Sequence, residues 1–221
     1  MTTVAAEPPV RTKGMRPPGP LALFTGGVVA GLQARVLRQP PDPEATGALA
    51  RLRRGIGAEP GSDYTLERYL CVPDEILGFV PADRPADSEY AVHDAVTLYA
   101  LHQQSQRRPM HVPGTGLGAA VATLLARSDS PEGVRRRFAA LGTASAYPEV
   151  IYHLRGLVTM LRGAEIPLDY GRLAEDLVAL RTPTGPARIR AAWGRDFYRS
   201  RAHSRPENNP TTDDAPEENG S

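Results

Sequence analysis

The stretch His111–Leu125, "HVPGTGLGAAVATLL", decides the fold, because it has two incompatible readings. Gly114, Gly116 and Ala119 satisfy G-x-G-x-x-G/A, the pattern of a dinucleotide-binding turn, which would make the chain an α/β cofactor enzyme. That turn needs a hydrophobic β-strand running into its first glycine. Here the glycine follows "HQQSQRRPMHVP", a polar helix end and a loop broken by Pro109 and Pro113. The competing reading is a glycine-bearing loop in which Thr115 caps a helix starting near Leu117.

The flanking sequence reads as helix after helix. "PLALFTGGVVAGLQARVLR" places Leu21, Val28, Leu32 and Val36 near one face, with Gly26 and Gly27 weakening its start. "DPEATGALARLRRGIG" opens on Asp42 as N-cap and Pro43 at the first helical position, and Gly57 stops it. "SEYAVHDAVTLYALHQQSQ" carries Ala91, Ala95, Leu98 and Leu101 at helical spacing. "SPEGVRRRFAAL" repeats the Ser-Pro entry at Ser130–Pro131 and ends on Gly142. "PEVIYHLRGLVTMLR" aligns Val150, Leu154, Leu157 and Leu161, and "DYGRLAEDLVAL" starts at Asp169 and buries Leu173, Leu177 and Leu180. "PARIRAAWGRDFY" turns Ile189, Trp193 and Phe197 inward. Only residues 64–80 stay ambiguous between helix and extended chain. Strand pairs around tight turns are absent from the pattern. The expectation is an all-α, compact multi-helix bundle spanning residues 21–199. Residues 1–20 and 200–221, rich in Pro, Glu, Asn and Thr, read as disordered tails, the second of them acidic.

A chain of 221 residues is long enough for one substantial core. The single cysteine, Cys71, leaves no internal disulfide framework and suits a reducing cytoplasm. No apolar run reaches the roughly 18 residues of a membrane span, and the proline-broken N-terminus lacks a signal-peptide core. The expected setting is a soluble, cytoplasmic one without membrane contact. The five histidines show no metal-ligand spacing, and His93 beside Asp94 does not make a dyad, since helix neighbours diverge by about 100°. Glu175 and Asp176 read as a solvated face, and neither a nucleophile elbow nor a P-loop occurs. No catalysis and no cofactor is expected.

The formal net charge of +1 conceals an asymmetry. Of the 26 basic residues 25 are arginine, and residues 101–199 hold 14 arginines against 8 carboxylates. Guanidinium presents planar, bidentate donors suited to phosphate. The arginines fall in four clusters on successive helices: Arg51, Arg53 and Arg54; Arg107 and Arg108, expected to close the long central helix; Arg135, Arg136 and Arg137; and Arg155 with Arg162. Any one of them suits a solvated helix face. Together, with few acids interleaved, they point to a surface that tracks a phosphate backbone. Few aromatics accompany them, so backbone rather than base readout is expected. A helical adaptor whose arginines dock acidic protein surfaces is the alternative, and a nucleotide-binding enzyme the third.

The order of motifs resembles a known family. "LRRG" (52–55) is followed by "LYALHQQS" (98–105), "TGLGAAVATLL" (115–125), "RRRFAAL" (135–141) and "YPEVIYHLRGLVTMLRGAEIPLDYGRLAEDLVAL" (147–180), then Trp193 and the final Phe197–Tyr198. The set is similar to the CasB family, the small subunit of the type I-E CRISPR surveillance complex Cascade. His102-Gln103, Leu117-Gly118, Arg136-Arg137-x-x-Ala140-Leu141 and Pro167-Leu168-Asp169-Tyr170 carry most of the likeness. The resemblance implies an all-helical, non-enzymatic protein that sits as a pair of copies beside the CasC backbone, the crRNA and the CasA large subunit. It also implies that basic residues at Arg53, Arg54, Arg107, Arg108, Arg136, Arg137 and Arg155 help hold target and displaced DNA strands, which stabilises the R-loop. "GTASAYPE" after Leu141 carries no base where related sequences often do, and both tails are longer.

Overall fold

A computed structural model describes residues 17–203. Among them there is no strand, and ten α-helices follow in order. They are α1 (Pro20–Val36), α2 (Pro43–Arg54), α3 (Glu67–Leu70), α4 (Asp74–Leu77), α5 (Asp87–His102), α6 (Leu117–Arg127), α7 (Pro131–Thr143), α8 (Tyr147–Gly163), α9 (Tyr170–Leu180) and α10 (Gly185–His203). The all-α expectation holds. The ambiguous 64–80 stretch resolves as a 3-10 turn at Tyr64–Leu66 followed by the short α3 and α4. The expected tails fall almost wholly outside the described residues, and α10 runs through His203, past the anticipated boundary at 199.

The fold is organised around α5. Every residue from Ala91 to Ala100 is buried, so this helix has no solvent face and its apolar pattern is continuous rather than striped. Around it pack α1, α2, α8 and α9, while α10 lies along α6 and α7 along α8. The inward stripes of α8 and α9 are those the spacing predicts, with Leu154, Leu157, Leu161 and Leu177 fully buried. On α1 the stripe is Leu21, Thr25, Val29 and Leu32, one position away from the expected Val28. Asp42 caps α2 as its sequence implies, accepting from the Glu44 and Ala45 amides at 2.9 and 3.2 Å. Arg35 binds the same carboxylate at 2.9 Å and holds it below the usual carboxylate range, tying α1 to α2.

The opening stretch settles as helix-start chemistry, by a route its local sequence does not show. Gly114 sits at φ +89°, where side chains are strained, and its N–H donates to Asp169 Oδ2 at 2.7 Å. The N-cap of α6 is Gly116 rather than Thr115, and the Ala119 amide donates to Asp196 Oδ2 of α10 at 3.3 Å. Carboxylates of the chain itself thus occupy the amides a nucleotide phosphate would need. Gly118 is glycine for contact: a methyl there would collide with the Trp193 carbonyl oxygen. The only strand-like feature among the described residues is one parallel bridge, His111 to Leu168.

Other local expectations are corrected. Ser130 occupies the N-cap position of α7 without a side-chain capping bond, and Gly142 lies inside that helix, which continues to Thr143. Likewise α2 stops at Arg54, and Gly55 and Ile56 lead from it into the positive-φ Gly57. Glu175 and Asp176 are not a solvated face. Glu175 accepts from the Gly19 amide at 2.6 Å and Asp176 from the Trp193 indole at 2.6 Å. Burial pushes the Asp176 carboxyl up to about 6, against that indole bond. His93 Nδ1 approaches Asp94 Oδ1 at 3.5 Å despite their divergent Cβ directions, and Tyr147 donates to the other Asp94 oxygen at 2.8 Å.

Candidate nucleic-acid interface

The spine of the candidate surface is the outer face of α8. Tyr152, Arg155 and Thr159 are exposed and Arg162 is half-buried at its end. All four lie within about 80° on a helix of 3.6 residues per turn. Arg155 and Arg162 stand about 10 Å apart along the axis, equal to the axial rise of about three base pairs of a duplex at ~3.4 Å each.

At the C-terminal end of α8 the tertiary structure gathers three of the four clusters. Arg162 donates to Gln104 Oε1 at 2.8 Å, and Gln106 Nε2 donates to the Arg162 carbonyl at 2.9 Å. These bonds clamp the loop carrying Arg107 and Arg108 onto α8. On the other side stands the end of α2. Desolvation of the half-buried Arg53 guanidinium lowers its pKa, and repulsion from Arg54 and Arg162 adds to it. Such mutual repulsion marks a local excess of positive charge. Asp63 is held below the carboxylate range first by the Thr65 hydroxyl and further by Arg51 and Arg54, so it offsets part of that excess.

Arg107 and Arg108 do not close α5, as the sequence suggests. The helix ends at His102 because the next side chain folds the chain over. Buried Gln103 accepts from the Met110 amide at 3.1 Å and donates to the carbonyls of Gln106 and Arg108 at 3.2 and 3.0 Å. Ser105 takes φ +61° within this turn. Both arginines therefore project from a stapled loop, and Arg108 lies 3.8 Å from Glu165.

The fourth cluster flanks the middle of α8. Arg135, Arg136 and Arg137 are all exposed on α7, while Val134 and Leu141 are buried. Arg135 pairs with Glu132 at 2.5 Å. Arg136 and Arg137 make no ion pair among the described residues. Arg137 reaches over Gly156 of α8, its Nη1 lying 2.8 Å from where a β-carbon would stand. Of the nine arginines Arg51, Arg53, Arg54, Arg107, Arg108, Arg136, Arg137, Arg155 and Arg162, only Arg108 has a carboxylate within 4 Å among the described residues. Arg35, Arg68, Arg84 and Arg181, elsewhere on the molecule, are all ion-paired. Sequence reasoning assigns no role to Gln103, Gln104 and Gln106, which position the loop, or to Tyr152 and Gly156 on α8. The glutamine-rich "HQQSQ" was the available signal for the first three.

The model of the CRISPR-associated protein Cse2 family matches residues 48–198, which include all nine of these arginines. The chain belongs to the CRISPR-associated Cse2 family. Among solved structures, CasB from Thermobifida fusca is 39% identical with a TM-score of 0.68, over 82% of this chain and 99% of that one. A Cse2-family protein from Thermus thermophilus and CasB from M. ruber share the fold, each at 24% identity and a TM-score of 0.57. They cover 80% of this chain, and 97% and 95% of their own. No curated protein sequence matches the chain. As a Cse2 protein, the chain is a subunit of a CRISPR Cascade complex that contains other Cas proteins. No helix among the described residues is long and apolar enough to cross a membrane, and no group of three metal-ligating side chains occurs among them.

Proposed function

We propose that this Cse2 protein is the non-catalytic small subunit of a type I-E Cascade, and that its arginine-lined face holds nucleic-acid backbone and stabilises the R-loop during crRNA-guided DNA recognition. Its partners in this reading are the CasA large subunit, the CasC backbone, a second copy of itself, the crRNA, and the target and displaced DNA strands. It works in the cytoplasm without cofactor or metal.

The supporting observation is the gathering along α8 of arginines with no carboxylate partner among the described residues, from Arg136 and Arg137 through Arg155 to Arg162, Arg53 and Arg54. An arginine already paired to a carboxylate has little to offer a phosphate. One without such a partner gains a charge-assisted hydrogen bond and releases a counterion from the nucleic acid. Exchange of a DNA duplex for an RNA–DNA hybrid is close to balanced, so a few backbone contacts tip it.

The test is target-DNA binding by the assembled complex carrying Arg155→Ala with Arg162→Ala. Weaker binding with a shallower salt dependence supports the role. Loss of subunit incorporation, with DNA affinity of the remaining complex unchanged, identifies the face as a protein-docking adaptor surface instead.

A further inference from the structure

A single large aromatic stands exposed on the arginine row, where a backbone-tracking surface has no use for one. Tyr152 is 72% exposed, one turn before Arg155 and on the same face of α8. His153 meets its ring edge-on, with centroids 5.3 Å apart. The residue one turn beyond Tyr152 is Gly156, so α8 itself raises no side chain beside the ring on that side. A glycine inside a helix is disfavoured relative to alanine. Here the space it leaves is used by the Arg137 guanidinium, arriving from α7. Tyr152 is thereby flanked by two arginines from different helices, neither paired to a carboxylate among the described residues.

Resting on the backbone-holding role proposed above, we infer that Tyr152 is a stacking platform for one unpaired base, and that Arg137 and Arg155 take the phosphates beside it. The ligand class is single-stranded nucleic acid. A duplex keeps its bases inside and presents no free π-face, whereas every base of a single strand does. The site discriminates strand state rather than sequence, since stacking on tyrosine accepts any base. This departs from the backbone-only expectation drawn from the chain's scarcity of aromatics: one well-placed ring suffices.

The test uses the assembled complex with its crRNA and a target DNA in which single abasic sites are walked along each strand. Removing a base leaves every phosphate in place, so arginine contacts are unaffected and only stacking is lost. The wild-type complex loses about fivefold or more in affinity at the position that meets Tyr152. Tyr152→Ala loses a similar factor on intact DNA and becomes indifferent to the abasic site there. Tyr152→Phe, which keeps the ring and drops the hydroxyl, behaves as wild type. Wild-type affinity in Tyr152→Ala, with the full abasic profile retained, overturns the inference. The same holds if Tyr152→Phe fails as badly as alanine. The salt dependence of an Arg136→Ala, Arg137→Ala complex separates the two readings. A reduced slope alongside an inert Tyr152→Ala removes the stacking platform alone, and an unchanged slope removes the backbone-holding role beneath it.

Discussion

Replacing Arg136 and Arg137 with alanine together removes two exposed guanidinium groups from α7. Neither is ion-paired among the described residues, and the inward Val134 and Leu141 are untouched, so the helix keeps its apolar contacts. Each phosphate released changes the slope of log K against log salt by about 0.7 for a single strand and about 0.9 for a duplex. Two phosphates make the double variant shallower by about 1.4 to 1.8. Between about 50 and about 200 mM salt the wild-type complex then loses about sevenfold to twelvefold more affinity than the variant. The difference between them is greatest at low salt and narrows as salt rises. The assay is equilibrium binding of target DNA by the purified complex at several salt concentrations, with subunit stoichiometry checked in each preparation. A double variant with the wild-type slope, incorporated normally, refutes the assignment of these residues to phosphate. A parallel drop at all salt concentrations refutes the electrostatic account, because a lost phosphate contact must alter the slope.

Three further outcomes follow from the packing. Gly118→Ala drives a methyl into the Trp193 carbonyl and separates α6 from α10. The expected loss is about 1 to 3 kcal/mol or more by urea denaturation, whereas Gly142→Ala, with open space around it, is neutral or stabilising. Gln103→Ala leaves the buried Met110 amide without its acceptor, costing about 1 to 3 kcal/mol. It also releases the Arg107–Arg108 loop, seen as faster amide exchange over residues 104–110. The pH response has two opposed parts. Burial lowers His102 to about 4, so its folded form binds fewer protons than the unfolded chain and stability falls as pH drops below about 6.5. Asp176, raised to about 6 by burial, acts in the opposite sense and favours the fold as pH falls through 6. Removing each in turn separates them: His102→Gln loses about 2 kcal/mol less than wild type between pH 7 and pH 5, and Asp176→Asn loses about 1 kcal/mol more.

Helix identity and the all-α class were legible in the chain, because 3.6-residue apolar periodicity and Asp-Pro or Ser-Pro entries are properties of adjacent residues. Asp42 and Asp169 cap where their positions imply, since a capping carboxylate needs only the amides two or three residues on. The arginines were equally plain, as was their excess over carboxylates in residues 101–199. What local pattern could not supply is which distant group meets which. Glu175 and Asp176 look solvated until Gly19 and Trp193 arrive from elsewhere in the chain. The glycines of "HVPGTGLGAA" look like a phosphate cradle until Asp169 and Asp196 occupy it. Likewise, only the stapling by Gln103 and the reach of Arg137 over Gly156 turn four separate arginine clusters into one surface with a tyrosine in it. Periodicity is fixed by local backbone geometry, so the sequence alone carries it. Juxtaposition is fixed by how helices pack around a core, and only the folded chain decides that.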